Sequence, residues 1–215
     1  MDLEFAKTVN MNGNWSWGTN FCNVKLACNP FVFHLMSKHL SENPQIKMIC
    51  ELGTHTAGMA LYLGMESVRL GIPFHTWDIE KQTTADTDKI LDRLGVIQHI
   101  GDVFEQEAEI LKLIGDEPVM LICDSGNKCR EVERFAPRLP KYSIISSHDY
   151  GEELKDDCLS WTYEHVHMMP IRAYEWGETN AQFPTWKIMS EPIKDFIPEP
   201  AAEIQETTNT PEDGK

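Results

Sequence analysis

Along the chain, short apolar runs alternate with stretches in which apolar residues return every three or four positions. The runs at 46–50, 74–77, 96–100, 119–123 and 142–146 predict strands, and 119–123 is the most continuous of them. Between them, Leu61, Met65 and Val68 predict one face of a helix over 58–70. Ile90, Leu91 and Leu94 predict a second over 84–94, with Gly95 as its C-cap, and Val132, Phe135, Ala136 and Leu139 follow helical spacing in a third. Strands and helices in βαβαβ order predict an α/β fold built on a doubly wound, mainly parallel sheet. Apolar stretches at 166–169 and 186–189 add a C-terminal antiparallel hairpin. Upstream, a helix over 31–40 opened by Pro30 covers one sheet edge.

Composition narrows this picture. A chain of 215 residues has room for one sizeable domain, and 41% hydrophobic with 25% charged residues is the make-up of a folded protein. We expect three regions: an N-terminal aromatic segment and covering helix (1–45), the α/β core (46–197), and a loose tail (198–215) with five acids against one lysine. The net charge of −15 repels phosphate backbones, which argues against duplex nucleic acid as a partner. No apolar run is long enough for a membrane span, and the first residues carry no signal-like stretch, so a cytoplasmic location is expected. The six cysteines (Cys22, Cys28, Cys50, Cys123, Cys129, Cys158) form no CxxC pair and read as reduced, mostly buried thiols.

In open parallel sheets, ligands bind beyond the carboxyl ends of the strands. Nearly every predicted strand here ends in an acid: Glu51, Asp78, Asp102 after Gly101, Asp124, and Asp149 after His148. Asp is also a frequent helix N-cap, so each has a bland explanation singly; five in series point to a site. The turn Glu51-Leu52-Gly53-Thr54-His55-Thr56-Ala57-Gly58 joins a strand to a helix, and Gly53 can take a positive φ that lets a ligand approach the backbone. It is not the dinucleotide fingerprint, because His55 stands where the second glycine would be. Asp78 is spaced to accept hydrogen bonds from a ribose diol. His165 and His167 alternate as on one strand face and read as a packing pair, while His75 and His99 have no partner at ligand spacing. Trp15, Trp17, Phe21, Trp176, Phe183 and Trp186 serve either core packing or the wall of an acceptor pocket.

Taken together, the turn ELGTHTAGMAL, the acid after the second strand, Gly101-Asp102, the run Asp124-Ser125-Gly126-Asn127-Lys128 and His148-Asp149-Tyr150-Gly151 resemble class I S-adenosylmethionine-dependent methyltransferases. The closer similarity is to the branch of cephalosporin hydroxylase-type proteins and macrolide or rhamnosyl sugar O-methyltransferases, and it spans about residues 15–190. The resemblance implies a Rossmann-like fold that holds S-adenosylmethionine through Glu51, Gly53, Thr54, His55 and Gly58 at the methionine end. Asp78 would meet the ribose, Asp102 the adenine amino group, and Asp124 would border the same site. It further implies a divalent ion, magnesium or manganese, on Asp124, His148 and Asp149. Two departures stand out. The family's GGS reads Ala57-Gly58-Met59, and the first member of its acidic pair is His148, a donor set that suits manganese, iron or zinc as well as magnesium.

The implied reaction is methyl transfer to a hydroxyl of a small molecule such as a sugar or glycosylated metabolite, with Lys128 and, where it is not a ligand, His148 as candidate catalytic bases; the plainer reading of Lys128 is an exposed lysine in the first turn of a helix. Two alternatives stay open: an NAD(P)-dependent oxidoreductase, against which His55 and the lack of a Tyr-x-x-x-Lys argue, and a non-catalytic nucleoside-binding or oligomeric scaffold. The N-terminal aromatic segment would be the place for homo-oligomer contacts.

Overall fold

The computed structural model describes residues 19–26, 31–150, 153–171, 183–193 and 196. Trp15, Trp17, Cys28, Pro30, Gly151, Trp176 and the acidic tail lie outside the described residues. The elements in chain order are a hairpin of β1 (Thr19–Phe21) and β2 (Val24–Leu26), α1 (Phe31–Glu42), β3 (Met48–Leu52), α2 (Gly58–Leu70), β4 (Phe74–Asp78), α3 (Ala85–Arg93) and β5 (Val96–Ile100). There follow α4 (Glu107–Ile114), β6 (Val119–Cys123), α5 (Lys128–Phe135), β7 (Ile144–Ser147), α6 (Ser160–His165), β8 (Met168–Pro170) and β9 (Thr185–Ile188).

Seven strands form one sheet in the order β5-β4-β3-β6-β7-β9-β8. The first five run parallel, and β9 is antiparallel to both β7 and β8. The predicted mainly parallel sheet with an antiparallel hairpin at its end is what forms. Alternation along the strands feeds two cores. Ile49, Met120, Ile122 and Ile144 pack with α1, α2 and Leu91 of α3, whereas Cys50, Leu121, Cys123 and Ile145 pack with α4, α5 and the Leu154–Val166 region. Helix–sheet–helix layering follows from that period of two. No helix among the described residues is long and apolar enough to cross a membrane.

Several local expectations are corrected. Met65 and Val68 do not share a buried face with Leu61: they are 40% and 59% exposed. The first half of α2 is instead buried on nearly every side, because α1 and the β1–β2 hairpin cover it, with Phe33 stacked on Tyr62 at 4.0 Å and Phe21 edge-on to both rings. The third helical stretch is α5 followed by a short 3-10 turn, Ala136–Arg138, where Pro137 removes a backbone donor. His165 closes α6 and stacks on Trp161 at 4.3 Å rather than lying on a strand. His75 and His99, far apart in sequence, meet across β4 and β5 with Nδ1 and Nε2 2.9 Å apart. The cysteines are not all reduced: Cys129 and Cys158 form a disulfide between the first turn of α5 and the segment before α6, while Cys22, Cys50 and Cys123 are free.

Candidate active site

Register decides which side chains reach the carboxyl edge of the sheet. Leu52 pairs with Trp77 and with Cys123, and Cys123 pairs with Ser147. One residue further along each strand, Gly53, Asp78, Asp124 and His148 therefore stand level across four neighbouring strands. The edge between β3 and β6 is the point where strand order reverses, and connections leave it in opposite directions to open a crevice. A cleft of about 410 Å³ lies there, lined by Gly53, His55, Asp78, Gly101, Asp102, Asp124 and Lys128 together with Ile79, Gln82, Val103, Phe104, the 125–127 turn and Glu153.

The turn after β3 is built for close approach. The Gly53 and Thr54 N–H groups both donate to the Trp77 carbonyl, at 2.8 and 3.0 Å, and Gly53 has φ 104°. A Cβ on Gly53 would lie 2.1 Å from the Asp124 carbonyl oxygen, so only glycine lets the β3 and β6 turns meet. His55, Ala57 and Asp149 are also at positive φ (48°, 74° and 56°) without being glycine. Ala57 occupies the position where the family pattern has its first glycine. Of these only His55 lines the cleft, and left-handed backbone at a non-glycine residue is the kind of local strain found at functional sites.

Asp78 Oδ2 accepts the His55 N–H at 2.6 Å, and each carboxylate oxygen has a further lone pair for a hydroxyl donor. Asp102 Oδ1 accepts the Phe104 N–H at 2.7 Å. Glu51, Thr54 and Gly58 do not line the cleft. β3 continues to Leu52, which leaves Glu51 one residue inside the sheet and 1% exposed. Its carboxylate accepts a 2.6 Å bond from the Thr76 hydroxyl, itself 2.6 Å from the Thr54 hydroxyl. Burial pushes the Glu51 carboxyl up to about 8; the Thr76 bond opposes this and the charges of Asp124 and Asp78 add to it.

At the β6–β7 side, Asp124, His148 and Asp149 place one ligand atom each within 4.8 Å of one another. His148 Nδ1 lies 3.2 Å from Asp124 Oδ1 and 3.4 Å from Asp149 Oδ1, and its ring packs on Phe183 with centroids 5.1 Å apart. Burial lowers the His148 pKa, but the Asp124 hydrogen bond and the charges of Asp124 and Asp149 outweigh it and raise it above the usual value. Lys128 is buried, not exposed in a first helical turn: its Nζ is 2.6 Å from Glu153 Oε2, 3.3 Å from Asp149 Oδ2 and 3.5 Å from Asp124 Oδ1. Burial works against its charge, yet the Glu153 bond and the surrounding carboxylates hold its pKa above the ordinary lysine value. A lysine so placed sets one positive charge among three carboxylates, an arrangement that suits a counter-charge better than the expected base.

Sequence reasoning missed Phe104, Glu153 and Arg130, whose guanidinium lies 4.0 Å over the Phe104 ring. Phe104 sits two residues beyond Asp102 and was within reach of the same logic. Glu153 lies past the last strand-end motif and carries no local signal.

No protein-family model matches the sequence, and no curated protein matches it either. Its fold is nevertheless that of solved methyltransferase structures. CmcI with magnesium and S-adenosylmethionine superposes at TM-score 0.60 and 11% identity, covering 88% of this chain and 85% of that one. CmcI with S-adenosylhomocysteine superposes at 0.57 and 12% identity, covering 87% and 92%. CalS11, a calicheamicin methyltransferase, gives 0.53 and 10% identity over 73% and 77%. The Rossmann-like class I methyltransferase fold is thus the class the architecture defines.

Proposed function

We propose that this protein is an S-adenosylmethionine-dependent O-methyltransferase acting on a hydroxyl of a small molecule, such as a sugar or glycosylated metabolite. The observation that carries this reading is the level row Gly53, Asp78 and Asp124 along a cleft at the reversal of strand order, with His148 next in the row beside Asp124. The similar solved structures that hold S-adenosylmethionine or S-adenosylhomocysteine support it. In this reading the Gly53–His55 backbone faces the methionine portion of the donor. Asp78 takes the ribose hydroxyls, and Asp102, beside Val103 and Phe104, takes the adenine.

The donor set also fits a divalent ion. Asp124, Asp149 and Glu153 carry three negative charges against one on Lys128, so the pocket is left with a surplus of two while His148 is neutral. Asp124, His148 and Asp149 would hold the ion, magnesium or manganese, which would make an acceptor hydroxyl more acidic. The chain's own task is to fix the acceptor oxygen in line and give its proton a destination. Where no ion sits on the His148 Nδ1, that nitrogen can donate to Asp124 and Asp149 and leave Nε2 free to take the proton; with Nδ1 on the ion, Nε2 would carry the ring hydrogen and the proton would pass to solvent. Phe183 holds the ring in place and excludes water from one side.

Thermal unfolding of the metal-stripped protein tests the reading directly. S-adenosylhomocysteine at a hundredfold its Kd should raise Tm by roughly 5 to 10 °C. NAD or NADP should not; a shift with the nicotinamides alone would establish the oxidoreductase alternative, and no shift with any of them the scaffold. Asp124→Asn should cut methyl transfer by about a hundredfold or more and leave S-adenosylhomocysteine affinity within about threefold. An unchanged rate would remove Asp124, and with it the ion, from the chemistry.

A further inference from the structure

The turn that carries Asp124 and Lys128 into the cleft is gripped from beneath by a residue that touches neither the cleft nor the ligand cluster. Glu131, on α5, is 0% exposed, which for a carboxylate requires internal partners. All the partners recorded for its side chain come from that one turn. Its Oε1 accepts the Ser125 hydroxyl at 2.5 Å and the Asn127 N–H at 3.3 Å, and its Oε2 accepts the Ser125 N–H at 3.4 Å. The Ser125 carbonyl in turn accepts a 3.0 Å bond from Lys128 Nζ, so the peptide groups of Ser125 are tied on both sides. The Ser125 nitrogen is also one of the atoms crowding Gly53, 2.8 Å from where a Cβ would be. Glycine at 53 permits the two turns to touch, and something must hold the second against the first.

We propose that Glu131 is a positioning residue that fixes the 125–127 turn, and through it the placement of Asp124 and Lys128 and the donor side of the cleft. This rests on the methyltransferase reading for what the cleft binds, but not for the hold on the turn. The carboxylate is suited to the task because every group facing it is a donor. A carboxamide there would keep the shape, lose at least one of three bonds and set an N–H against an N–H.

The test compares the wild-type full chain with Glu131→Gln by amide hydrogen exchange, urea unfolding and calorimetric titration with S-adenosylhomocysteine. The expected result is exchange about tenfold faster at 124–128, with other amides changed only in line with global stability, and S-adenosylhomocysteine bound about tenfold more weakly. Unchanged exchange and affinity in the variant would overturn the proposal, as would faster exchange spread evenly over the sheet. If the wild type fails to bind S-adenosylhomocysteine, the methyltransferase reading is what fails, and the exchange data still decide the role of Glu131. Should Glu131→Gln not fold, Ser125→Ala removes only the hydroxyl partner; it should loosen 124–128 in the same direction by a smaller factor, and no change there would equally overturn the proposal.

Discussion

Glu51 makes the fold's stability depend on pH in a direction opposite to most acids. The perturbation is Glu51→Gln, which keeps an acceptor for the Thr76 hydroxyl and removes the titrating proton. Burial raises the carboxyl from its ordinary 4.5 to about 8 in the folded chain. Below the lower value both folded and unfolded chains hold the proton and nothing is lost. Between the two values the unfolded chain has released it and the folded chain has not, so stability falls as pH rises and levels off above the folded pKa. A gap of this size corresponds to at most about 5 kcal/mol across the window. Urea unfolding at pH 5, 6.5 and 8 should find the variant close to wild type at the lowest pH and more stable by several kcal/mol at the highest. The difference between the two proteins cancels the slopes of groups that do not interact with Glu51. Parallel stability curves would refute the reasoning and mean that Glu51 is ionised and compensated in the fold.

Two further outcomes follow from described geometry. Gly53→Ala places a Cβ 2.1 Å from the Asp124 carbonyl oxygen at φ 104°, and should cost about 3 kcal/mol or more in urea unfolding and abolish S-adenosylhomocysteine binding. The Cys129–Cys158 bridge spans 29 residues, for which loop entropy gives roughly 3.5 kcal/mol: reductant should lower the wild-type urea midpoint and leave Cys158→Ser unmoved.

What could be read from the sequence was whatever the backbone period dictates. The strands at 74–78, 96–100 and 119–123 and the helix over 58–70 are local patterns, and the acids at their ends mark the sheet edge without coordinates. Glu51 escaped correct placement because β3 runs over 48–52 rather than 46–50, and that shift turns an edge position into an interior one. Lys128 looked exposed since first helical turns usually are; the ammonium is instead enclosed by Asp124 and the Ser125 carbonyl from its own turn and by Asp149 and Glu153, which the fold brings to it. The Cys129–Cys158 pairing and the meeting of His75 with His99 depend on chain paths that no spacing rule encodes. The six-residue α6 spans fewer than two turns, too little for a 3.6-residue period to show.

The place of β9 has a consequence for how the molecule is made. The last strand among the described residues does not sit at the rim but is wedged between β7 and β8. While the chain emerges from the ribosome, β3 to β7 can pair as they appear, yet the outer side of β7 keeps open backbone groups until Thr185–Ile188 arrives. Neither β8 nor the packing of Trp186 can be completed before that moment. Assembly therefore has a waiting period, during which β7 is the surface that a chaperone, or another unfinished chain, would meet.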